Sequence, residues 1–248
     1  MKRLSFYLLL IVIWEAIYRL SLWPPYLFPG PLEVASSLAR GLADGSLLLA
    51  VAASFRRLAV GYGLALAVGL SLGLLLARNR TADELLGPLV SGMQAIPSIA
   101  WLPLTVLWMG LSEASIITIV FLGAVWSIVV NTQAGIRNVP PLWIRAARTM
   151  GAKGSRLFTA VVLPAALPQM LSGWRLAWAF SWRSLMAGEL LSPGRGLGEV
   201  LIVSRNVNDM AAVLAVIVII GVFGSLVDNL LFQRAEEQTR RKWGLAPA

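Results

Sequence analysis

Apolar residues along the chain gather into six runs, at about 4–22, 55–77, 88–109, 114–130, 168–191 and 210–232. Each approaches the ~20 residues that a helix needs to cross a hydrocarbon core. The pattern predicts an all-α, polytopic membrane protein with about six transmembrane helices. The first run follows Lys2 and Arg3 and has the outline of a signal peptide. Only Ser21-Leu22-Trp23-Pro24-Pro25 comes after it, with no small-residue cleavage site, so it is expected to stay as an anchor.

The segments between the runs carry their own signals. Residues 23–54 open with Pro24, Pro25, Pro29 and Pro31, which make the start irregular. Residues 32–42 then fit an amphipathic helix on the membrane surface, with the Trp23 and Tyr26 rings suited to the interface. The second run repeats a small residue every fourth position at Gly61, Ala65, Gly69, Gly73 and Ala77, and a second stripe is Gly63, Ala67 and Ser71. Small faces let helix backbones approach closely in lipid, which predicts a helix central to the bundle. Thr81-Ala82-Asp83-Glu84 has capping-box spacing and predicts a short interfacial helix before the third run. Pro97 and Pro103 in that run fit either a simple kink or a discontinuous helix beside a transport pathway. Residues 131–167 form a long loop of helical composition, with one helix over 142–150, a C-terminal cap at Gly151, and a second helix over 153–162. Such a basic projection fits a docking element, and equally a loop that only sets topology.

Composition narrows the class. Hydrophobic residues are 58% and charged residues 13%, with mean hydropathy +0.75. Soluble domains hold about 45–50% apolar and about 25% charged residues, so a soluble or disordered chain is excluded. There is no cysteine and no histidine. Disulfides, thiolate metal sites and a Ser-His-Asp triad are therefore out, and no catalytic or metal-ligating residues are assigned. The net charge of +9 is open to a nucleic-acid reading. With the N-terminus inside, however, thirteen Lys and Arg lie on the inner side (residues 2, 3, 78, 80, 137, 145, 148, 153, 156, 234 and 240–242). Only Arg40, Arg195 and Arg205 lie outside. This bias places both termini in the cytoplasm and accounts for the charge without nucleic acid.

Polar groups inside the runs are candidates for function, because ionisable residues in a membrane are costly. Arg175 lies near the cytoplasmic end and fits a snorkelling position. Arg183 fits contact with an anionic substrate, or else an ion pair within the bundle. Glu189 lies six residues on, roughly 240° around a helix, so the two do not pair easily within one. Gln94 and Ser98 share a face and fit either a pathway lining or helix–helix hydrogen bonds. Trp174, Trp178 and Trp182 form a stripe that reads as packing, and Glu15 and Arg19 as an i,i+4 ion pair. On these residues alone, a transporter, an ion-gradient-driven one or a channel included, and a non-transporting scaffold all stand. For a gradient-driven system the acidic candidates are Glu15, Glu189 and Asp228.

The run Arg145-Ala146-Ala147-Arg148-Thr149-Met150-Gly151, with Leu163-Pro164 at the matching distance, resembles the EAA loop of binding-protein-dependent ABC importer permeases. Arg145 stands where that family has Glu. Phe28-Pro29-Gly30-Pro31, Ser54-Phe55-Arg56-Arg57, Ile96-Pro97-Ser98 through Leu104, Leu107-Trp108-Met109-Gly110 and the Gly194–Gly198 turn resemble the branch for nitrate, sulfonates, taurine and bicarbonate. The resemblance covers almost the whole chain. It implies a MetI-like ABC importer permease fold, with an anchor and external segment over 1–54, a permease core over 55–232 containing coupling loop 131–167, and a basic tail over 233–248. It implies a translocation pathway, for which Gln94, Ser98, Arg183 and Glu189, singled out above as polar groups in the spans, are the candidate lining. Arg145, Ala146, Ala147, Gly151, Leu163 and Pro164 would couple the chain to an ATPase. The implied partners are a second permease subunit in a homodimer, two cytoplasmic ATPases, an extracytoplasmic solute-binding protein and the bilayer of the cytoplasmic (inner) membrane. The chain has no phosphate-binding loop: Gly151-Ala152-Lys153-Gly154-Ser155 lacks the required spacing. ATP and Mg would thus sit on the partner ATPase, with no cofactor in this chain.

Overall fold

A computed structural model describes residues 2–191 and 194–242. Every element among the described residues is helical. In chain order these are α1 (Lys2–Arg19), α2 (Pro31–Ala43), α3 (Ser46–Arg78), α4 (Arg80–Ala95), α5 (Leu102–Met109), α6 (Glu113–Arg137) and α7 (Pro141–Thr149), then α8 (Gly154–Leu157), α9 (Leu163–Leu191), α10 (Leu197–Asn206), α11 (Met210–Val227) and α12 (Arg234–Lys242). A single π-turn, Phe158–Val162, joins α8 to α9, and another, Asp228–Gln233, joins α11 to α12. Four continuous stretches are long and apolar enough to cross a membrane: Ser46–Arg78, Glu113–Arg137, Gly154–Leu191 and Met210–Thr239. A fifth is the bent pair Arg80–Ala95 and Ser98–Met109, which turns by 94°. The first run is α1, 18 residues that include Lys2, Arg3, Glu15 and Arg19, and its Glu15–Arg19 pair closes at 2.6 Å.

The third run is therefore a broken helix rather than a kinked one. Ile96 ends α4 with ψ 121°, Pro97 is extended, and Ser98–Trp101 is a 3₁₀ turn. Proline removes a backbone donor and pushes the residue before it out of helical conformation, so Ile96-Pro97 is where the helix stops. Two sequence expectations are corrected here. The cap is not Thr81; Asn79 caps α4, its side chain accepting from the Ala82 amide at 3.1 Å. Nor is there a separate interfacial helix, because α4 runs unbroken through Pro88 to the proline break.

The residues form two compact units, Met1–Arg56 with Glu189–Phe223, and Arg57–Gly188 with Gly224–Ala248. In the second, the small stripe of α3 packs on α6. A Cβ at Gly61, Gly69 or Gly73 would lie 2.7–2.8 Å from side chains of Val120, Ile128 and Thr132. The central helix is α6, half of whose apolar window is buried, against 28% for α3. Gly63, Ala67 and Ser71 face outward. The tryptophan stripe packs as expected: Trp178 stacks on Trp182, and Tyr62 meets Trp178 edge-on while donating to the Trp174 carbonyl at 2.9 Å. Arg175 makes a two-point pair with Asp228 at 2.6 and 2.7 Å, with Glu236 at 3.4 Å. A forked guanidinium matches a carboxylate in this way, fixing α9 against the turn after α11.

In the first unit, α2 starts at Pro31, where φ is already set for a helix, and Glu33 reaches back to the Gly30 amide at 3.1 Å. Trp14 donates to the Pro29 carbonyl at 3.1 Å and Tyr18 to Glu33 at 3.1 Å, tying α1 to α2.

Candidate functional site

Two features of the second unit bear on function. The first is a cavity of about 450 Å³ where the break after α4 meets α6 and α9. Gln94, Ala95, Ile96, Pro97, Ser98 and Ile99 come from the break, Leu122, Gly123, Trp126 and Ser127 from α6, and Phe180, Arg183, Ser184 and Ala187 from α9. Local sequence explains the space. Pro97 ends one helix, so the backbone turns away before α5 begins. Gly123 then lets α6 approach α9, since a Cβ there would lie 2.4 Å from the Ser184 hydroxyl. Non-helical backbone at membrane depth is tolerated only where it is buried in protein or lines a watery cavity.

Of the four residues expected on a pathway, Gln94, Ser98 and Arg183 come together here. Ser98 Oγ lies 2.6 Å from Ser184 Oγ, which in turn donates to the Phe180 carbonyl at 2.8 Å. Arg183 has no carboxylate partner among the described residues, and its guanidinium lies 5.7 Å from the centre of the Phe180 ring. Glu189 belongs to the other compact unit and is 1% exposed. Both its oxygens accept from the Ser54 hydroxyl at 2.8–2.9 Å, and one accepts from the Gly198 amide at 3.0 Å. Sequence reasoning missed Ser127 and Ser184. The signal for Ser184 was its place beside Arg183; Ser127 has no sequence signal beyond being a hydroxyl in an apolar run.

The second feature is the projection around α7. Pro140 and Pro141 start the helix, and it ends at Gly151, whose φ is +86°. The Ala152 amide donates to the Ala147 carbonyl at 2.9 Å, and the Gly151 amide to the Arg148 carbonyl at 3.0 Å. This is the Schellman pattern, which favours glycine because a Cβ is strained at positive φ. Ala147 is buried while Arg145, Ala146, Leu142 and Met150 are exposed. Inward, Ile144 packs on Val139, Ala166 and Met170. Arg78 lies 3.8 Å from the Phe158 ring centre, steadying the π-turn after α8. The second helix of the expected loop is not separate. Gly154–Leu191 is one continuous stretch, so Leu163 and Pro164 lie inside the path into α9, and residues 131–137 belong to α6. Pro164 sits at the second residue of α9, directly after the π-turn. Asp83 of α4 meets α6 by accepting from Gln133 and, at 2.7 Å, from Arg137.

Comparison with known proteins places this geometry in context. The family profile described as "Binding-protein-dependent transport system inner membrane component" matches residues 67–235. An inferred ABC transporter permease of Methanocaldococcus jannaschii is 36% identical over 92% of this chain and 86% of its own length. The taurine transport system permease protein of Escherichia coli is 30% identical over 94% of this chain and 86% of its own. Among solved structures, an inward-facing MetNI methionine ABC transporter chain superposes with TM-score 0.66 at 20% identity, covering 78% of this chain and 96% of that one. At that identity the likeness establishes the fold alone.

Proposed function

From the fact that the chain belongs to the family of binding-protein-dependent transport system inner membrane components, we propose that it is the transmembrane permease subunit of an ABC importer for a small anionic or polar solute of the sulfonate, taurine, nitrate or bicarbonate class. It is a transport subunit and not an enzyme; ATP hydrolysis belongs to a separate subunit. The observation that carries the pathway is the cavity beside the proline break, where Gln94, Ser98 and Arg183 meet. Glu189 has a positional part, holding the turn into α10 through Gly198.

In this reading two copies of the chain pair, and each rests on a cytoplasmic ATPase that carries ATP and Mg. An extracytoplasmic binding protein delivers the solute. The membrane is the cytoplasmic one, with both termini inside, an anchor over 1–54, a core over 55–232 and a tail over 233–248, of which residues 243–248 lie outside the described ones. Coupling runs through α7. Arg145, Ala146 and Gly151 present an exposed face to the ATPase, Ala147 is buried in α7, and Leu163 and Pro164 open α9 as the far end of the coupling element. A push on α7 reaches the cavity because Ile144 packs on Ala166 and Met170 of the helix that carries Arg183. Arg145 in place of the family's Glu would meet an acidic residue of its own ATPase.

The test is a mild-detergent pull-down from native membrane with mass spectrometry, using the native chain and Gly151→Asp, followed by uptake in proteoliposomes. A Walker-motif ATPase retained by the native chain and lost by the variant, with ATP-dependent uptake, is the expected result. An intact permease that brings down no ATPase overturns the reading.

A further inference from the structure

Building on the transport reading above, we infer that Asp83 is a positioning residue for transport, whose carboxylate makes α4 follow the end of α6 when α7 is displaced. Little else in the chain holds α4. Of its 16 residues only Val90 is buried, while Leu85, Leu86 and Leu89 are exposed. A helix normally takes its place from a buried apolar face. Here polar contacts at the two ends do most of that work. Beyond the proline break, Ser98 meets Ser184 of α9 at 2.6 Å. At the start of α4, both oxygens of Asp83 are taken by α6: Oδ1 accepts from Gln133 Nε2, and Oδ2 from Arg137 Nη1 at 2.7 Å. Gln133 and Arg137 are four residues apart and share one face of α6. The Nη2 of Arg137 donates to the Leu76 carbonyl, in the last turn of α3, at 2.8 Å. That carbonyl is one of the four that a helix end leaves without an intrahelical partner. Gly87 leaves the carboxylate room, since a Cβ there would lie 3.0 Å from Asp83 Oδ1. One carboxylate and one guanidinium thus join the ends of α3, α4 and α6.

An acid in the first turn of a helix also favours that helix through its dipole. Such a role needs no partner on another element, whereas each Asp83 oxygen is spent on an α6 side chain. Neighbouring Glu84 shows the local alternative, pairing with Arg80 at 2.7 Å within α4. The place of Arg137 gives the tie its use. It is the last residue of α6, and α7 opens at Pro141 after Asn138, Val139 and Pro140. The Asn138 amide still donates to the Ala134 carbonyl at 2.9 Å, and Val139 is buried in one cluster with Ala166 and Met170. The two prolines restrict the rest. The connection is therefore short and stiff, and a shift of α7 is delivered to the turn that carries Arg137. Through Asp83 it passes to α4, whose last turn sets Gln94 at the cavity. This route is separate from the packing of Ile144 against α9 and moves a different wall of the cavity.

The test uses the complete permease–ATPase complex in nanodiscs, with and without ATP plus vanadate. The chain has no native cysteine, so Gln94→Cys on α4 and, separately, Met150→Cys at the exposed end of α7 can carry an environment-sensitive fluorophore. In the native background both labels are expected to shift their emission on nucleotide trapping. In Asp83→Ala, and equally in Arg137→Gln, the α7 shift should persist and the α4 shift should be lost. Persistence at α7 shows that the chain is folded and bound to its ATPase. Glu84→Gln should keep both shifts. Asp83 and Arg137 are 23% and 40% exposed, so losing the pair should lower the Tm by only a few degrees. A native α4 shift in Asp83→Ala, or an equal loss in Glu84→Gln, overturns the inference while the transport reading stands. So does a native chain in which α7 responds and α4 does not. If no ATPase associates and neither label responds, the transport reading fails and the inference with it.

Discussion

Ser54 and Glu189, 135 residues apart, are joined by one hydroxyl that lies 2.8–2.9 Å from both carboxylate oxygens. The same Ser54 oxygen accepts from the Leu197 amide at 2.9 Å, and Glu189 accepts from the Gly198 amide at 3.0 Å. The clasp thus pins the first turn of α10 to the ends of α3 and α9. Ser54→Ala should cost about 1–3 kcal/mol, because it leaves a buried amide and carboxylate short of partners. Gly198→Ala should be as harmful, since a Cβ there would lie 2.5 Å from the Glu189 side chain and 2.8 Å from its backbone. Thermal melting of the detergent-solubilised chain measures both; an unchanged Tm in Ser54→Ala would refute the clasp.

The two glycine stripes of α3 should respond in opposite ways. At Gly73 a Cβ would lie 2.7 Å from both Thr132 and the Val129 carbonyl, whereas at Gly63 there is nothing within 4 Å. Gly73→Ala should therefore destabilise by about 1–3 kcal/mol through overpacking. Gly63→Ala should be neutral or stabilising by up to about 1 kcal/mol through helix propensity. Equal melting temperatures for the two variants would contradict the assignment of the α6-facing stripe.

At Gly151 the φ of +86° is the reason for glycine. Gly151→Ala should cost about 1–2 kcal/mol of left-handed strain, and Gly151→Asn less. With open space around this position, the strain is local, so the chain should still assemble in the membrane. ATPase stimulation by solute in the reconstituted complex should fall more in Ala than in Asn; the reverse order would rule out backbone conformation as the cause.

Arg175 and Asp228 should behave as a pair. Either Arg175→Gln or Asp228→Asn alone is expected to lower stability by about 1–2 kcal/mol, with the discount that side chains about one-third exposed require. The double variant should cost less than the two singles added, and a double-mutant cycle with no coupling would show that the contact is idle.

Asp44 supplies a pH dependence. The Ser46 hydroxyl, and then the Ser46 amide at 2.8 Å, hold its carboxyl below its ordinary value of 3.8. A lowered folded pKa means the tether to the start of α3 is complete above 3.8 and is lost as pH falls through the lower folded value. The native chain should melt above Asp44→Asn at neutral pH, and the gap should close in strong acid. A gap that persists there would contradict the assignment.

The sequence by itself determined what depends on local chemistry. Apolar runs near bilayer length dictate membrane helices, since lipid leaves the backbone no other partner. Pro97 marks the place where a helix must stop, Gly151 a helix end, and the Gly61–Gly73 spacing a close-packed face. The Ala-Ala-x-x-x-Gly and Leu-Pro spacing carried the family. Only the tertiary structure decided the rest, because it depends on which side chains meet across long stretches of sequence. Glu189 reads as a lone charge in an apolar run until Ser54 and the α10 amides are seen around it. The central helix is α6 and not α3, since burial comes from being surrounded, which a stripe on one face does not encode. The Thr81 capping pattern gave way to Asn79, because the cap goes to the residue whose side chain reaches the first free amides. Ser98 and Ser127 are both serines in apolar runs. Only the neighbour each hydroxyl meets makes Ser98 a tie to Ser184 and leaves the Ser127 hydroxyl buried without a partner.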